Sequence, residues 1–299
     1  MIQPPLLQKN DLVGIVAPGR KLDAGVLREA VKMVESWGLT VRVGKNLTNS
    51  SHAYLAGSDA ERLEDLQHML NDSSVKAILC ARGGYGTTRI LDQLDFSSFL
   101  KNPKWVCGFS DITALHMKLQ ALGVQSIHGT MPVLFSKPDS LSSVEALRKI
   151  LHGEQSVWHV RPHAHNRVGN GEGGVIGGNL SLLVDSLGTS SEINTKNKIL
   201  VIEEVDEYVY RIDRMLVQLK RAGKLQHLKG LVVGHMTELK ETELPFGESI
   251  ETIVRNQVEG FNFPVGFGFP VGHENPNLPW VQGGEGKLTI TEKQVTLVF

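Results

Sequence analysis

The sequence predicts an α/β protein whose N-terminal half is a parallel sheet flanked by helices and whose smaller C-terminal half is a mixed α+β domain. Three observations carry this. Short aliphatic runs alternate with amphipathic helical periods from Leu12 to Gly129, the composition shifts between Ser136 and Gly174, and the last residues alternate in and out as a hairpin. Leu12 to Ala17 is an apolar run closed by Pro18-Gly19. The helix after it places Val26, Ala30, Val34 and Trp37 on one face until Gly38 stops it. Leu39 to Val43 returns as a strand, and Leu63, Leu66 and Leu70 mark the next helix. Val75 to Cys80, Trp105 to Gly108 and Ser126 to Gly129 supply the third, fourth and fifth strands. Ligands of such sheets bind beyond the C-terminal strand edge.

The shifted stretch carries Pro138, Pro162 and four histidines with little periodicity, so it reads as a connection. The expected organisation is residues 1–150, a linker over 151–174, and a second domain over 175–299. That domain opens on the glycine turn before Asn179 and a short helix. Lys198 to Val205 follows as a strand, Arg211 to Ala222 as a helix, Gly230 to Gly234 as a strand, Ser249 to Val258 as a helix and Phe263 to Phe269 as a strand. Leu288 to Ile290 against Val295 to Leu297 closes the chain.

At 299 residues the chain is long enough for two domains, because single cores stop growing at about 250 to 300 residues. Its 31 basic and 32 acidic residues give no charge excess, which argues against nucleic acid or an anionic membrane and for a small ligand. No apolar run approaches the ~20 residues of a membrane span, and a cytoplasmic protein is expected. Cys80 and Cys107 sit in apolar strand patterns and read as reduced core residues.

Gly108-Phe109-Ser110-Asp111 places a hydroxyl at the seam between a strand and a helix whose apolar positions are Ile112, Leu115, Leu119 and Leu122. A serine there stands on a sharp turn beside the helix-opening N–H groups, as in a nucleophile elbow, although the second glycine of G-x-S-x-G is missing. The plainer alternative is a helix N-cap. Arg82-Gly83-Gly84-Tyr85-Gly86 lies at the same sheet edge and offers backbone N–H groups to an anion, or is simply a tight turn. Glu203 closes an aliphatic strand, where a carboxylate needs a partner, and His273 lies in a loop rich in turn residues. Serine, carboxylate and histidine in that order are the parts of a triad. The histidines from His152 to His165 share no fixed spacing with acidic or Cys ligands, so no metal site is expected.

Taken together, Val16-Ala-Pro18, Arg82-Gly-Gly-Tyr-Gly86, Gly108-Phe-Ser-Asp111, His128-Gly129, Gly177-Gly-Asn-Leu180, Ile202-Glu-Glu204 with Tyr210-Arg-Ile-Asp-Arg214, and Gly272-His273 resemble the L,D-carboxypeptidase family of serine peptidases. The resemblance covers nearly the whole chain. It departs at Gly19, where Ser is common, and at Trp280-Val-Gln-Gly283, where a shorter ending is usual.

The resemblance implies Ser110 as nucleophile, Glu203 as the charge-relay carboxylate and His273 as general base, with an oxyanion hole from the backbone of Asp111 and the Gly83-Gly84 turn. Arg82, Tyr85, His128, Gly129 and Asn179 are its candidates for holding substrate. It further implies a Rossmann-like N-terminal domain similar to class I glutamine amidotransferases, a site between the domains, no metal or organic cofactor, and a homodimer. The implied substrate is a murein tetrapeptide cut between its L-centred diamino acid and terminal D-alanine during wall recycling. Two other readings remain. One is the family's microcin C self-immunity branch, which hydrolyses peptidyl or aminoacyl adenylates and would need an aromatic such as Tyr85, Trp158 or Trp280 to stack on adenine. The other is a non-enzymatic module that binds a small anion.

Overall fold

Two sheets and the helices around them account for residues 1–299 in the computed structural model. The first half supplies strands β1 (Leu12–Val16), β2 (Thr40–Val43), β3 (Val75–Cys80), β4 (Trp105–Gly108) and β5 (Ser126–His128). The second supplies β6 (Val157–Val160), β7 (Gly169–Asn179), β8 (Lys198–Val205), β9 (Gly230–Thr237), β10 (Val265–Gly266), β11 (Trp280–Gln282), β12 (Glu285–Ile290) and β13 (Val295–Val298). The first sheet runs β11-β5-β4-β3-β1-β2, parallel except for β11. The second runs β10-β9-β8-β7-β12-β13-β6, parallel as far as β7 and antiparallel beyond it.

The aliphatic runs are strands because both faces of the first sheet are covered. Ala77 and Leu79 of β3 enter one core, with Val13, Ile15 and Trp105, while Ile78 and Cys80 enter the other, with Val106 and Phe109. Cys80 and Cys107 therefore lie in different cores, buried and unpaired, and burial raises both thiol pKa values. The helix Ala24–Ser36 starts where the Asp23 carboxylate accepts the Gly25 and Val26 N–H groups, a cap worth about 1 kcal/mol, and it buries Ala30 and Val34. Helix Asp59–Asn71 opens on a capping box between Ser58 and Glu61.

The stretch 151–174 is not a linker. Its residues include β6, which pairs with β13, and the first half of β7, which pairs with β12. Ahead of it, Leu141–Leu151 is a helix burying Val144, Leu147, Ile150 and Leu151. Strand β7 reads as a loop because it is Gly-Asn-Gly-Glu-Gly-Gly-Val-Ile-Gly-Gly-Asn, with almost no side chains to alternate. The glycines serve close approach: a Cβ at Gly177 would stand 1.8 Å from the Val201 carbonyl oxygen, and its φ is +142°. The strand expected over Phe263 to Phe269 shrinks to two residues, since Pro264 cannot donate to the ladder.

The halves are also less separate than the sequence suggests. Strand β11 leaves the second domain and pairs antiparallel with β5, Trp280 opposite His128 and Gln282 opposite Ser126. The Gln282 side chain then spans the sheets, accepting from the Gly177 N–H at 3.1 Å and donating to the Gly177 carbonyl at 2.6 Å. Met117, from the helix Thr113–Ala121, sits in the second domain's core. These ties set the segment from Phe269 to Pro279 against the C-terminal edge of the first sheet.

Candidate active site

Ser110 lies at the end of β4 with φ +63°, a left-handed conformation that non-glycine residues seldom hold and that marks strained functional turns. Phe109 before it is extended, and a 3₁₀ turn over Ser110–Ile112 leads into the helix. Room for the turn comes from Gly108, where a Cβ would meet the Ile112 side chain at 2.9 Å. Ile112 fills the place of the absent second glycine. The Ser110 hydroxyl does not cap the helix; it meets His273 Nε2 at 3.0 Å.

Glu203 ends the aliphatic part of β8 and is fully buried. One of its oxygens accepts from His273 Nδ1 at 2.7 Å, and the other has no hydrogen-bond partner. With the proton on Nδ1 directed to Glu203, Nε2 is left to accept the Ser110 hydroxyl. Burial alone would lower the His273 pKa, but the hydrogen bond and charge of Glu203, with Glu204 and Glu238 behind, raise it above 6.5. The loop carrying His273 is held on both sides. Asn277 Oδ1 accepts from the Gly272 N–H at 3.1 Å, and His235 Nδ1 accepts from the Glu274 N–H at 3.2 Å.

The Gly83-Gly84 turn abuts the serine. A Cβ on Gly83 would lie 3.0 Å from Ser110 Cβ and 3.2 Å from its Oγ, a tight contact, and Gly84 beside it holds φ +109°, a conformation that favours glycine. Asp111 follows the serine, and its buried carboxylate accepts from the Thr87 N–H at 3.0 Å and hydroxyl at 2.6 Å. Burial nevertheless raises its pKa, against the pull of those bonds. The side chain thus anchors the turn, while its N–H opens the helix.

Of the residues expected to hold substrate, Arg82 and Tyr85 line clefts beside this turn. His128, Gly129 and Asn179 do not. His128 is fully buried, its ring stacked on Trp280 at 3.7 Å with no partner on either nitrogen, and burial lowers its pKa. The Gly129 N–H donates to the Gly108 carbonyl at 3.1 Å and so joins strands. Asn179 caps the helix Leu180–Asp185 and donates to Glu204 at 2.7 Å. The polar groups of Gly129 and Asn179 are thus spent inside the fold, and those of His128 are buried within it. Trp158 and Trp280 are likewise buried, which leaves Tyr85, 54% exposed, as the remaining candidate for adenine stacking.

Sequence reasoning missed His235, Asn277 and Gln282, which position rather than react, and His116. His116 meets the Gly108 carbonyl at 2.9 Å and Ser126 at 2.8 Å from beneath the elbow, with its pKa pushed down to about 4 by burial. Only Asn277, in a Pro-flanked turn, left a local signal. No three His, Cys, Asp or Glu side chains converge on a point; His163 and His165 pack against each other and Phe267. No helix is long and apolar enough to cross a membrane.

The N-terminal domain model of LD-carboxypeptidases matches residues 13–129, and the C-terminal domain model matches residues 172–288. A Bacillus subtilis protein named as a probable murein peptide carboxypeptidase is 38% identical, over 99% of this chain and 94% of its own. The crystal structure of muramoyltetrapeptide carboxypeptidase from Oxalobacter formigenes superposes with a TM-score of 0.88 at 29% identity, covering 96% of this chain and 98% of that one. The microcin C7 self immunity protein MccF, at 20% identity and a TM-score of 0.85 over 99% and 98% of the two chains, shares the fold. Because both domain models and a relative spanning nearly the full length agree, this chain belongs to the LD-carboxypeptidase family.

Proposed function

We propose that this protein is a serine carboxypeptidase that hydrolyses the L,D bond releasing terminal D-alanine from murein tetrapeptides. The observation that carries the proposal is the unbroken relay from Ser110 to His273 to Glu203, at 3.0 and 2.7 Å, beside a turn whose backbone favours glycine. The murein-peptide names of the relatives support the substrate class. The reading extends to a cytoplasmic homodimer acting in wall recycling.

Chemistry follows from the geometry. His273 Nε2 takes the Ser110 proton as Oγ attacks the carbonyl of the diamino acid, and Glu203 holds the ring in the tautomer that can accept it. The N–H groups of Gly83, Gly84 and Asp111 are the candidate donors to the tetrahedral oxyanion, each worth about 3 to 4 kcal/mol in comparable sites. His273 next protonates the departing D-alanine amine. Water, activated by the same imidazole, then releases the acyl group, and neither a metal nor an organic cofactor enters this sequence.

Three peptides test the assignment: one ending in L-diamino acid–D-Ala, its L-Ala epimer, and the pentapeptide ending in D-Ala-D-Ala. The oxyanion donors fix the scissile carbonyl, so inverting either neighbouring centre displaces the reacting groups, and a 1 Å misplacement costs about 100-fold. Free alanine is expected from the first at least about tenfold faster than from the others. Comparable release from any two would leave only a generic peptidase.

The pH profile is a separate expectation. Only neutral His273 acts as base, and its raised pKa means the proton is held to a pH above 6.5. The acid limb of kcat/KM should therefore have its midpoint above 6.5. A limb that is flat through this range contradicts the role.

A further inference from the structure

A pair of guanidinium groups that form no ion pair stands beside the glycine turn that abuts the nucleophile. Arg82 immediately precedes Gly83, and the titratable neighbours acting on it are Arg20 and Tyr54, with no carboxylate among them. The Arg20 guanidinium lies 4.9 Å from the centre of the Tyr54 ring. Both arginines line one cleft of about 480 Å³ with Lys21, Asp23, Thr48 and Ser50.

The single carboxylate there is already engaged, because Asp23 accepts the Gly25 N–H at 2.7 Å and the Val26 N–H at 3.3 Å as a helix cap. Lys21 is engaged as well, donating to the His52 carbonyl at 3.0 Å. Other arginines near this face or on helices find carboxylates, as Arg89 does with Asp59 at 2.8 Å and Arg148 with Glu145 at 2.6 Å. Arg20 and Arg82, both half-buried, do not. Burial and the charge of Arg20 both press the Arg82 pKa downward, which an incoming anion would relieve.

The glycine turn stands between this cleft and the reacting atoms. The Cβ that Gly83 lacks would be 3.2 Å from Ser110 Oγ, and one on Gly84 would meet the Tyr54 hydroxyl at 2.6 Å and Arg20 Cβ at 3.2 Å. The backbone that faces the serine thus also contacts the arginine loop. In a peptide cut one residue from its end, the terminal carboxylate carbon is only two bonds from the scissile nitrogen. A guanidinium fork matches a carboxylate in two parallel hydrogen bonds.

We propose that Arg20 and Arg82 form the binding site for the free C-terminal carboxylate of the substrate, and so restrict cleavage to the last peptide bond. This rests on the serine carboxypeptidase reading of the same site. A carboxylate on the diamino acid side chain has the same chemistry, and the test separates the two.

The experiment compares kcat/KM for the tetrapeptide with a free C-terminus and for its C-terminal amide, in the wild type, Arg20→Gln and Arg82→Gln. A parallel pair of peptides carries lysine in place of diaminopimelate. The wild type is expected to prefer the acid by about 100-fold, and each variant to lose about 10- to 100-fold on the acid with little change on the amide. A uniform loss on both peptides, or a wild type indifferent to amidation, overturns the proposal. A loss confined to diaminopimelate peptides, with the acid preference intact, overturns it in favour of the side-chain carboxylate. Calorimetric binding of acid and amide to Ser110→Ala, with and without Arg82→Gln, reads the anion site even if no peptide is hydrolysed. Equal affinities for acid and amide in Ser110→Ala refute the site itself, whereas absent turnover with acid-selective binding refutes only the catalytic reading.

Discussion

Ser110→Ala is expected to lower kcat by about 10⁴- to 10⁶-fold while the unfolding midpoint moves by only about 2 °C. The asymmetry follows from where the hydroxyl is placed. Its hydrogen bond goes to His273 and not to a helix N–H, it is partly exposed, and its loss removes one interaction of about 1 kcal/mol from the folded state. The same atom is the nucleophile in the proposed reaction, so no other group replaces it. Steady-state release of D-alanine and a thermal scan on the same preparation decide the matter. Activity within tenfold of wild type would reduce Ser110 to a turn residue, and a large fall in the midpoint would make its role structural.

Much of this site was legible because its chemistry lies where the sheet puts ligands. Ser110 and the Gly83-Gly84 turn follow buried strands, and Glu203 closes the aliphatic run of another, and strand ends in such folds converge on one edge. Strands β3, β4 and β8 have the boundaries expected from their runs, and the terminal hairpin pairs Leu288 with Leu297 and Ile290 with Val295. The helices of the second domain were readable too, since Ile212, Met215, Leu216 and Leu219 repeat at helical spacing and are buried.

What was not legible lacked a local cause. Strand β7 exchanges side-chain alternation for backbone proximity, so periodicity carries no trace of it. The return of β11 to the first sheet is a contact between residues far apart in the chain, and three residues are too few to announce a strand. His128 and Asn179 were misread for a related reason. Polar residues beside glycine turns suggest a binding surface, yet here one stacks beneath Trp280 and the other caps a helix and steadies Glu204. Burial, not residue type, separates those roles.

Two adjacent glutamates give the sharpest test of the relay, because the same substitution should act on different properties. Glu203→Gln is expected to lower kcat by about 10⁴-fold: an amide can present its N–H₂ to His273 Nδ1, which places the imidazole proton on Nε2, and it no longer balances the imidazolium formed during attack. Glu204 faces the other way. It accepts from Asn179 Nδ2 at 2.7 Å, from the Ser181 N–H at 2.7 Å and hydroxyl at 2.6 Å, and from the Val205 N–H at 3.0 Å. Glu204→Gln sets donors against these donors at a buried site, at a cost of about 1 to 3 kcal/mol of stability, with kcat at low temperature within about tenfold of wild type. The pH profile adds a readout that misfolding cannot imitate. Glu203 raises the His273 pKa, so removing its charge should carry the acid limb of the residual Glu203→Gln activity to lower pH. A limb that stays in place, or one that moves in Glu204→Gln instead, would transfer the relay to the second carboxylate.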